Sequence, residues 1–158
     1  MAASTYSGAA VRLRTAAAED ADAVLACVVA AYSAYLERMD RRPAPMLDDY
    51  ERLIADGVVR VAEVDGVLAG AIVLWPRDKH LYIDNIAVRP DVQGNGVGAA
   101  LLALADDECR TIGHSELRLY TNEVMTENVR FYERRGWEET HRAVENGYRR
   151  IYFRKSID

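Results

Sequence analysis

Cysteine, histidine and proline are scarce in this 158-residue chain, which contains two cysteines, three histidines and four prolines. Cys27 and Cys109 stand far apart in apolar patterns typical of helices, without CxxC spacing. They predict buried free thiols in a reducing cytoplasm rather than a disulfide framework. The scattered histidines offer no spacing typical of zinc ligands, so we expect no metal site.

Long apolar runs and an excess of basic charge are also missing. No stretch of about 18 consecutive apolar residues exists, which excludes a helix that spans a membrane. The N-terminal sequence MAASTYSGAA has neither the basic start nor the apolar core of a signal peptide. Lys and Arg number 20 against 25 Asp and Glu, a net charge of −5, and no basic stripe or basic amphipathic helix is apparent. We therefore expect a cytoplasmic protein with neither a nucleic-acid nor a membrane partner.

The composition that is present is typical of one folded domain. Half of the residues are hydrophobic and 28% are charged, a balance that differs from that of a disordered chain. The length is that of a single domain with one main core. We expect a flexible segment at residues 1–9, because it is small and polar, and one domain over residues 10–158.

Hydrophobic periodicity predicts helices that alternate with strands. The predicted order is β-α-α-β-β-β-α-β-α-β-β, an α/β (mixed α+β) fold with helices on both faces of a mixed sheet. Asp65-Gly66 and Asn146-Gly147 each separate two strand patterns and predict hairpin turns. The predicted strands lie near 11–13, 58–64, 67–75, 81–88, 116–120, 137–144 and 148–153, and the predicted helices at 24–39, 47–56, 96–112 and 126–135.

Alternating glycines lie between a predicted strand and a predicted helix, at Gly94, Gly96 and Gly98. Glycine lets a ligand approach the main chain closely. Amides at the start of a helix lack intrahelical acceptors and the helix dipole adds positive charge there, which suits phosphate. The segment lacks the Lys-Ser/Thr of a P-loop and the GxGxxG spacing of a dinucleotide-binding turn. From this segment alone, a phosphate-binding loop and a plain tight turn are both open.

Two motifs together resemble the GCN5-related N-acetyltransferase (GNAT) family. The first is QGNGVG over 93–98, directly after a strand that ends in Ile-Ala-Val, and it is similar to the family's acyl-CoA loop. The second is NVRFYERRGW over 128–137, with an Asn, a Phe-Tyr pair on a helix and a Gly-aromatic step. The family usually has Phe at the position of Trp137. The resemblance covers about residues 11–154.

The resemblance implies an enzyme that moves an acetyl group directly from acetyl-CoA to a primary amine of a small molecule or peptide, without a metal. It implies that the strands matching 81–88 and 115–121 splay apart and hold the pantetheine arm, which would pair with main-chain groups of 86–88. The N–H of Val88 would face the thioester oxygen, and the amides of 94–99 would hold the pyrophosphate. The residues implied to bind the cofactor are Ile86, Ala87, Val88, Gln93, Gly94, Asn95, Gly96, Val97, Gly98, Ala99, Asn128 and Tyr132.

The resemblance also implies that Tyr132 is the general acid of the reaction. An amine must lose a proton before it attacks, since an alkylamine with a pKa of about 10 is protonated near neutral pH. The thiolate that leaves gains from an acid beside it. The alternative for Tyr132 is a core tyrosine whose hydroxyl bonds to the backbone.

Asp84 is the candidate base. Strand alternation places it on one face with Ile86 and Val88, and a carboxylate among apolar neighbours is costly unless it is paired or serves a site. The proton could also pass through water, and Asp84 could position that water or the ammonium, or simply bond to the nearby backbone. The other candidate bases are Glu37, Asp40 and Glu123.

Acceptor specificity is expected at the join of the first two helices and in the last hairpin. Arg41 and Arg42 could hold a carboxylate or phosphate, or be a solvated helix end. The segment 148–150, Tyr-Arg-Arg, could line the acceptor pocket or lie on a solvated edge strand. The residues that we expect to bind the acceptor are Tyr32, Tyr35, Arg41 and Tyr148.

Two other functions remain open. One is transfer to a protein or peptide, or of a longer acyl group, on the same scaffold. A wide pocket between the helix join and the last hairpin would favour that function, whereas a closed, tyrosine-lined cup would favour a metabolite. The other is a non-catalytic acyl-CoA-binding module, against which Tyr132 argues, because binding alone needs only the glycine loop. The exposed final strands favour a homodimer.

Overall fold

The computed structural model describes residues 3–6 and 9–158, with side chains from residue 10 onward. The strands are β1 (Ala3–Tyr6), β2 (Ala9–Thr15), β3 (Val59–Val64), β4 (Val67–Pro76), β5 (Leu81–Val88), β6 (Glu116–Asn122), β7 (Glu138–Glu145) and β8 (Tyr148–Ser156). The α-helices are α1 (Ala21–Tyr32), α2 (Tyr50–Ala55), α3 (Val97–Thr111) and α4 (Thr126–Glu133). The strands form one eight-stranded sheet in the order β1-β2-β3-β4-β5-β6-β8-β7, which confirms the predicted fold class.

Strands β5 and β6 run parallel, whereas the other neighbours in the described sheet run antiparallel. The pairing of β5 with β6 is limited to residues 81–83 against 117–119. Beyond it, β5 stays paired with β4 as far as Val88, and β6 stays paired with β8 as far as Asn122. The two strands therefore separate at their C-terminal ends, as predicted. The opening between residues 84–88 of β5 and 120–122 of β6 is called the wedge below.

Each face of the sheet carries its own hydrophobic core. One core packs α3 against the sheet and includes Leu101 and Phe153, which are at most 1% exposed. The other packs α1 and α2 against the opposite face and includes Val24 and Val28, which are fully buried. Residues 69–74 of β4 are buried without interruption because helices cover both of their faces.

The start of α3 lies close against β4. A Cβ at Gly70 of β4 would lie 2.9 Å from Val97 Cγ1, 3.1 Å from Leu101 Cδ1 and 3.1 Å from the carbonyl oxygen of Ala87. A side chain at Gly70 would therefore displace α3 or β5. This contact fixes the loop before α3 relative to the end of β5.

The first two helices are shorter than predicted. The first α-helix ends at Tyr32, where we expected a stripe as far as residue 39, and residues 33–38 tighten into a 3-10 helix. Ser33 Oγ donates a hydrogen bond to the Val29 carbonyl (2.5 Å), and such a side-chain bond disturbs the helical ladder. Residues 44–47 also form a 3-10 helix, so α2 begins at Tyr50 rather than at residue 47.

Both ends of the sheet differ from expectation. Residues 3–6 form β1, which pairs with β2, although we expected all of 1–9 to be flexible; residues 1, 2, 7 and 8 lie outside the described chain. Strand β8 is interior, between β6 and β7, so the solvated edge considered for 148–150 belongs to β7 instead. Local patterns show that a strand exists but not which neighbours it takes.

The described helices are too short or too polar to cross a membrane.

The hairpin predictions at Asp65-Gly66 and Asn146-Gly147 are confirmed, since both residues of each pair adopt positive φ.

Candidate active site

The predicted phosphate loop lies between β5 and α3. Gly94 and Gly96 adopt φ values of 88° and 82°, which suit glycine, and Gly96 is the N-cap of α3 without a side-chain cap. The amide of Ala100 donates to the Gly96 carbonyl (3.0 Å), so the amides of 97–99 precede the first helical bond. No acidic residue stands in the first turn of α3. The loop thus offers free donors and the positive end of a helix dipole to an anion.

Two of the predicted loop residues stabilise the loop itself. The amide of Asn95 donates to the Val92 carbonyl (3.3 Å), so this amide is already used within the turn. The side chain of Gln93 donates to the Val88 carbonyl (3.2 Å) and ties the loop to the end of β5. The amides left for a pyrophosphate are those around Gly94, Gly96 and the first turn of α3.

A groove of about 660 Å³ runs from this loop into the wedge. Every residue predicted to bind the cofactor lines it. Space is tight at Gly98, where a Cβ would touch the ring of Phe131 at 3.4 Å. Arg134 and Arg135, which the sequence reasoning missed, line the same groove and could pair with phosphates. Their position gave no clear signal, because basic residues at the end of a helix also suit its own dipole.

The main chain of β5 turns alternate residues toward the wedge. The amide of Arg89 donates to the Ala69 carbonyl on β4 (2.8 Å). By alternation, the main-chain groups of Ile86 and Val88 face the wedge, whereas those of Ala87 face β4. The main-chain groups of Ile86 and Val88, but not those of Ala87, are thus left unpaired by β4 and open to the wedge. Both acceptors there are partly used, since the Tyr32 hydroxyl donates to the Ile86 carbonyl (3.2 Å) and the Gln93 side chain donates to the Val88 carbonyl (3.2 Å).

A second, smaller cavity of about 50 Å³ lies deeper in the wedge and is called the inner cavity. The connection between α1 and α2 covers it, and Asp84 and Tyr148 line it. Groove and inner cavity meet at one boundary. The residues that line both are Tyr32, Ile86, Asn128 and Tyr132.

Tyr132 lies at this boundary. Its ring is 4% exposed and packs between Trp137 and Phe153, with centroid distances of 5.8 and 5.9 Å. Burial raises the pKa of the Tyr132 hydroxyl, and no protein hydrogen bond contributes to that shift. The hydroxyl is therefore protonated at neutral pH and has no acceptor among the described residues, which fits a proton donor better than a satisfied core tyrosine.

Asp84 faces the inner cavity from β5. Burial raises its pKa, and the charges of Arg77 and Arg150 oppose that shift, without a hydrogen bond among the causes. Asp48 is close enough to interact with it: burial, and then the charge of Asp84, raise the pKa of Asp48 to about 6. The alternative of a carboxylate bonded to nearby backbone therefore finds no support.

In contrast to Asp84, the next residue, Asn85, is hydrogen-bonded to side chains of α1 and α2. Asn85 donates to the Tyr50 hydroxyl (2.7 Å), which donates to the Pro45 carbonyl (2.6 Å). The Tyr32 hydroxyl lies 3.4 Å from the Asn85 side-chain oxygen. This network fixes β5 to α1 and α2 and leaves the Asp84 carboxylate outside it.

The remaining predicted residues divide between the two spaces. Tyr32 lines both spaces and Tyr148 lines the inner cavity, whereas Tyr35 lines the groove. Arg41 lines neither; its guanidinium donates to the Asn146 carbonyl (2.7 Å) and stabilises the β7–β8 turn. The alternative bases, Glu37, Asp40 and Glu123, also lie outside the walls of both spaces.

Arg150 is the charged residue that the acceptor prediction did not select. Its side chain is 12% exposed, and its guanidinium carbon lies 4.1 Å from the centroid of the Tyr120 ring. It lines the inner cavity, and its buried Nε has no hydrogen-bond partner. The preceding residue, Arg149, is 72% exposed and contacts Glu123. The sequence alone does not show which of these two adjacent arginines faces inward, because that depends on the register of β8.

Within the described residues, His, Cys, Asp and Glu side chains do not gather in a set of three or more that could hold a metal ion. The two cysteines are free and buried.

Comparison with known proteins agrees with this geometry. Residues 18–137 match the Acetyltransferase (GNAT) family. The chain is 30% identical over 138 residues to the aminoalkylphosphonate N-acetyltransferase of Salmonella typhimurium, covering 82% of this chain and 86% of that protein. The structure of the PaiA N-acetyltransferase of Thermoplasma acidophilum in complex with coenzyme A gives a TM-score of 0.79 at 16% identity, over 92% of this chain and 98% of that one. A GNAT-family acetyltransferase of Listeria monocytogenes gives 0.75 at 19% identity, over 99% and 100%.

The structural likenesses show the fold, and the family match spans most of the chain, from the first helix to the end of the second motif. The loop, the groove and the splayed strands are the parts that the resemblance implied for binding acetyl-CoA. The chain therefore belongs to the GNAT family of N-acetyltransferases, enzymes that use acetyl-CoA.

Proposed function

We propose that this enzyme transfers the acetyl group of acetyl-CoA directly to the primary amine of a small molecule. Tyr132 is the general acid, and Asp84 takes the amine proton directly or through water. The observation that carries the proposal is that Tyr132 lines both a cofactor-sized groove and an inner cavity whose wall includes Asp84.

The groove holds the donor. Phosphate oxygens accept from the amides around Gly94, Gly96 and the first turn of α3, and Arg134 and Arg135 add positive charge. The pantetheine arm lies along β5 and pairs with main-chain groups of Ile86 and Val88. The Val88 amide then polarises the thioester carbonyl, as an oxyanion donor does.

The reaction needs three proton movements. The ammonium first gives a proton to Asp84 or to water beside it, and the neutral amine then attacks the thioester carbon, so that the C–N bond forms and the C–S bond breaks. The nitrogen loses its second proton to water, and the thiolate takes the hydroxyl proton of Tyr132, which regains one from solvent in the groove. The raised pKa of Asp84 makes it a stronger base than an ordinary aspartate.

The walls of the inner cavity favour a small acceptor over a protein. The α1–α2 connection is fastened to the β7–β8 turn, since the Tyr148 hydroxyl donates to the Arg42 carbonyl (2.6 Å) and Arg41 donates to the Asn146 carbonyl (2.7 Å). The inner cavity beneath this connection is small and has tyrosines in its wall, which supports a metabolite as the acceptor. The relative from Salmonella is named for a small amine, an aminoalkylphosphonate, which supports the same class of acceptor here.

An amine panel tests the proposal. Acetyl-CoA is incubated with small primary amines and with peptides, and free thiol and acetylated product are measured together. We expect stoichiometric thiol and N-acetyl product with a small amine, weaker turnover with butyryl-CoA, and none with peptides. Product with peptides alone would favour the protein acetyltransferase, and coenzyme A binding by calorimetry without any turnover would favour the acyl-CoA-binding module.

Location and assembly belong to the same proposal. A cytoplasmic location fits the two buried free thiols. A homodimer fits the exposed edge strand β7, whose side chains are almost all exposed. Sedimentation of the purified protein measures the assembly.

A further inference from the structure

We propose that Arg150 binds an anionic group of the acceptor, so that the substrate is a short amine that also carries a carboxylate, phosphate or phosphonate. The inference rests on the proposed function, because it assigns the second charge of the molecule that is acetylated. It names the residue that selects the acceptor and the chemistry that this residue selects.

The guanidinium of Arg150 has unused donors. Arginine has five N–H donors in a planar fork, and buried polar groups are normally hydrogen-bonded. The side chain is 12% exposed, yet its Nε is buried without a partner, and its nearest carboxylate, Glu145, is 3.9 Å away and beyond hydrogen-bond distance. A buried guanidinium with unused donors is expected where a bound ligand supplies the missing hydrogen-bond acceptors.

Two other arginines with low exposure show what a structural role looks like. Arg60 is 18% exposed and donates to both carboxylate oxygens of Glu108, at 2.8 and 2.9 Å. Arg14 is 29% exposed and donates to Asp20 at 2.7 and 3.0 Å. Arg150 is the least exposed of the three and lacks such a carboxylate.

The position of Arg150 matches a substrate with two charges. Asp84 on β5 and Arg150 on β8 line the same inner cavity from opposite sides of the wedge. Tyr120, whose ring lies beneath the guanidinium, holds it in place by a cation–π contact. An ammonium beside Asp84 and an anion on Arg150 would satisfy both unpaired groups at once.

Other charges around the cavity leave this assignment intact. Arg77, on the β4–β5 connection, adds a further positive field that acts on Asp84. Asp48 is negative and acts on Asp84 rather than pairing with Arg150. Glu145 is 47% exposed, so solvent screens it and an anion inside the cavity competes well for the guanidinium.

The small volume of the cavity favours a short acceptor. A water needs about 10–15 Å³ of such space, so a cavity of about 50 Å³ takes a molecule of only a few heavy atoms beyond the amine. The anion must lie a short chain away from the nitrogen, as in a β-amino acid or an aminoalkyl phosphonate.

Matched amines test the inference. β-Alanine, 2-aminoethylphosphonate and 2-aminoethyl phosphate are compared with the neutral β-alaninamide, with acetyl-CoA saturating, and kcat/KM is measured by thiol release. The variants are Arg150→Gln, Arg150→Lys and the neighbouring control Arg149→Gln. We expect at least one anionic amine to exceed β-alaninamide, and the Gln variant to lower that preference about 100-fold, mainly through KM. Arg150→Lys should retain part of the preference for the anionic amine, and Arg149→Gln should leave this preference unchanged. Comparison of the three anionic amines shows which anion is preferred.

Failure of the inference and failure of the proposed function look different. Acetylation of β-alaninamide as fast as of the anionic amines, or a preference that Arg150→Gln does not change, would overturn the inference while the acetyltransferase stands. If no amine is acetylated, the proposed function fails. Calorimetry of 2-aminoethylphosphonate with the coenzyme A complex then still tests whether Arg150 forms an anion site. Binding that is lost in Arg150→Gln and kept in Arg149→Gln supports an anion site, and equal binding in all variants overturns it.

Discussion

Arg60 on β3 and Arg150 on β8 are alike in residue type and burial but opposite in their bonding. Arg60 is held by Glu108 and by the Gly57 carbonyl, at 2.8 to 2.9 Å. Arg150 has a ring beneath it, an unpartnered Nε and a carboxylate 3.9 Å away. The difference teaches that burial alone does not identify a structural charge. Unused bonding capacity that faces a cavity indicates a functional one.

The same contrast separates two regions of the sheet. Around β2 and β3, Arg14 bonds to Asp20 and Glu63 and Arg60 to Glu108, so the polar groups there complete one another. Around the wedge, the hydroxyl of Tyr132 and the carboxylate of Asp84 have no protein hydrogen bond that shifts their pKa. The first region stabilises the fold, and the second leaves these two groups available for the proposed reaction.

Removal of the Tyr132 hydroxyl should have the largest effect. In Tyr132→Phe we expect kcat to fall about 10²–10³-fold, because the thiolate leaves without an acid. Affinity for coenzyme A should stay unchanged, since the groove walls remain. Steady-state kinetics and calorimetry measure the two quantities.

Tyr50→Phe is the matched control, because the Tyr50 hydroxyl bonds to Asn85 and Pro45 rather than facing the substrate. It should cost about 1–2 kcal/mol of unfolding free energy and leave kcat of the folded enzyme within a few-fold. Equal losses of kcat in the two variants would remove Tyr132 from the role of acid.

Arg60→Gln should destabilise the protein where Arg150→Gln does not. We expect a loss of about 2 kcal/mol for Arg60→Gln, because Glu108 is left without its partner. Arg150→Gln should change the unfolding free energy by less than about 0.5 kcal/mol, since it removes little more than a cation–π contact. Denaturant unfolding of both variants measures this, and an equal loss would show that Arg150 is structural.

Asp84→Asn should stabilise the protein while it slows acetylation. The folded-state pKa of Asp84 is raised by burial, so the ionised carboxylate costs stability as pH rises through the folded pKa. The gain should be about 1 kcal/mol near about pH 8 and vanish near about pH 3, where the carboxyl is protonated in both states. Thermal unfolding across pH measures it. A constant gain at all pH values would contradict the charge as its cause.

The activity of the wild-type enzyme should rise with pH through the range in which the Asp48–Asp84 pair ionises. Burial raises both pKa values, that of Asp48 to about 6. The carboxylate that acts as base therefore forms at a higher pH than an ordinary aspartate would. The pH profile of kcat/KM should lose this rise in Asp84→Asn. A rise that persists would assign it to another group.

Arg38→Gln should have the smallest effect. Arg38 donates to both carboxylate oxygens of Glu127 and lowers the pKa of Glu127 to about 2, but both side chains are exposed. Solvent-exposed pairs contribute little to stability. The melting temperature should therefore not change measurably. A clear loss would show that the tie between the α1–α2 connection and α4 matters more than its exposure suggests.

Local sequence was sufficient for most of the fold and for the donor side. The hairpin turns and the helix after the glycine loop follow from contiguous patterns, whereas the groove was expected only from the resemblance that the two family motifs carry. The end of α1 was not predicted, because the apolar stripe continues to residue 39 while residues 33–38 tighten into a 3-10 helix. Likewise, β8 has the same local pattern whether it lies at an edge or between β6 and β7.

The acceptor side depended on distances that no local pattern encodes. Arg149 and Arg150 are adjacent, yet one is 72% and the other 12% exposed, because strand alternation sends neighbours to opposite faces. Arg41 was chosen for its charge, but it bonds to a turn that is distant in sequence. The sequence by itself therefore determined the glycine loop, because contiguous residues build it, and the family motif supplied Tyr132 as the proposed acid. Only the tertiary structure decided which charges line the inner cavity, because they come from separate strands whose pairing and register are long-range properties.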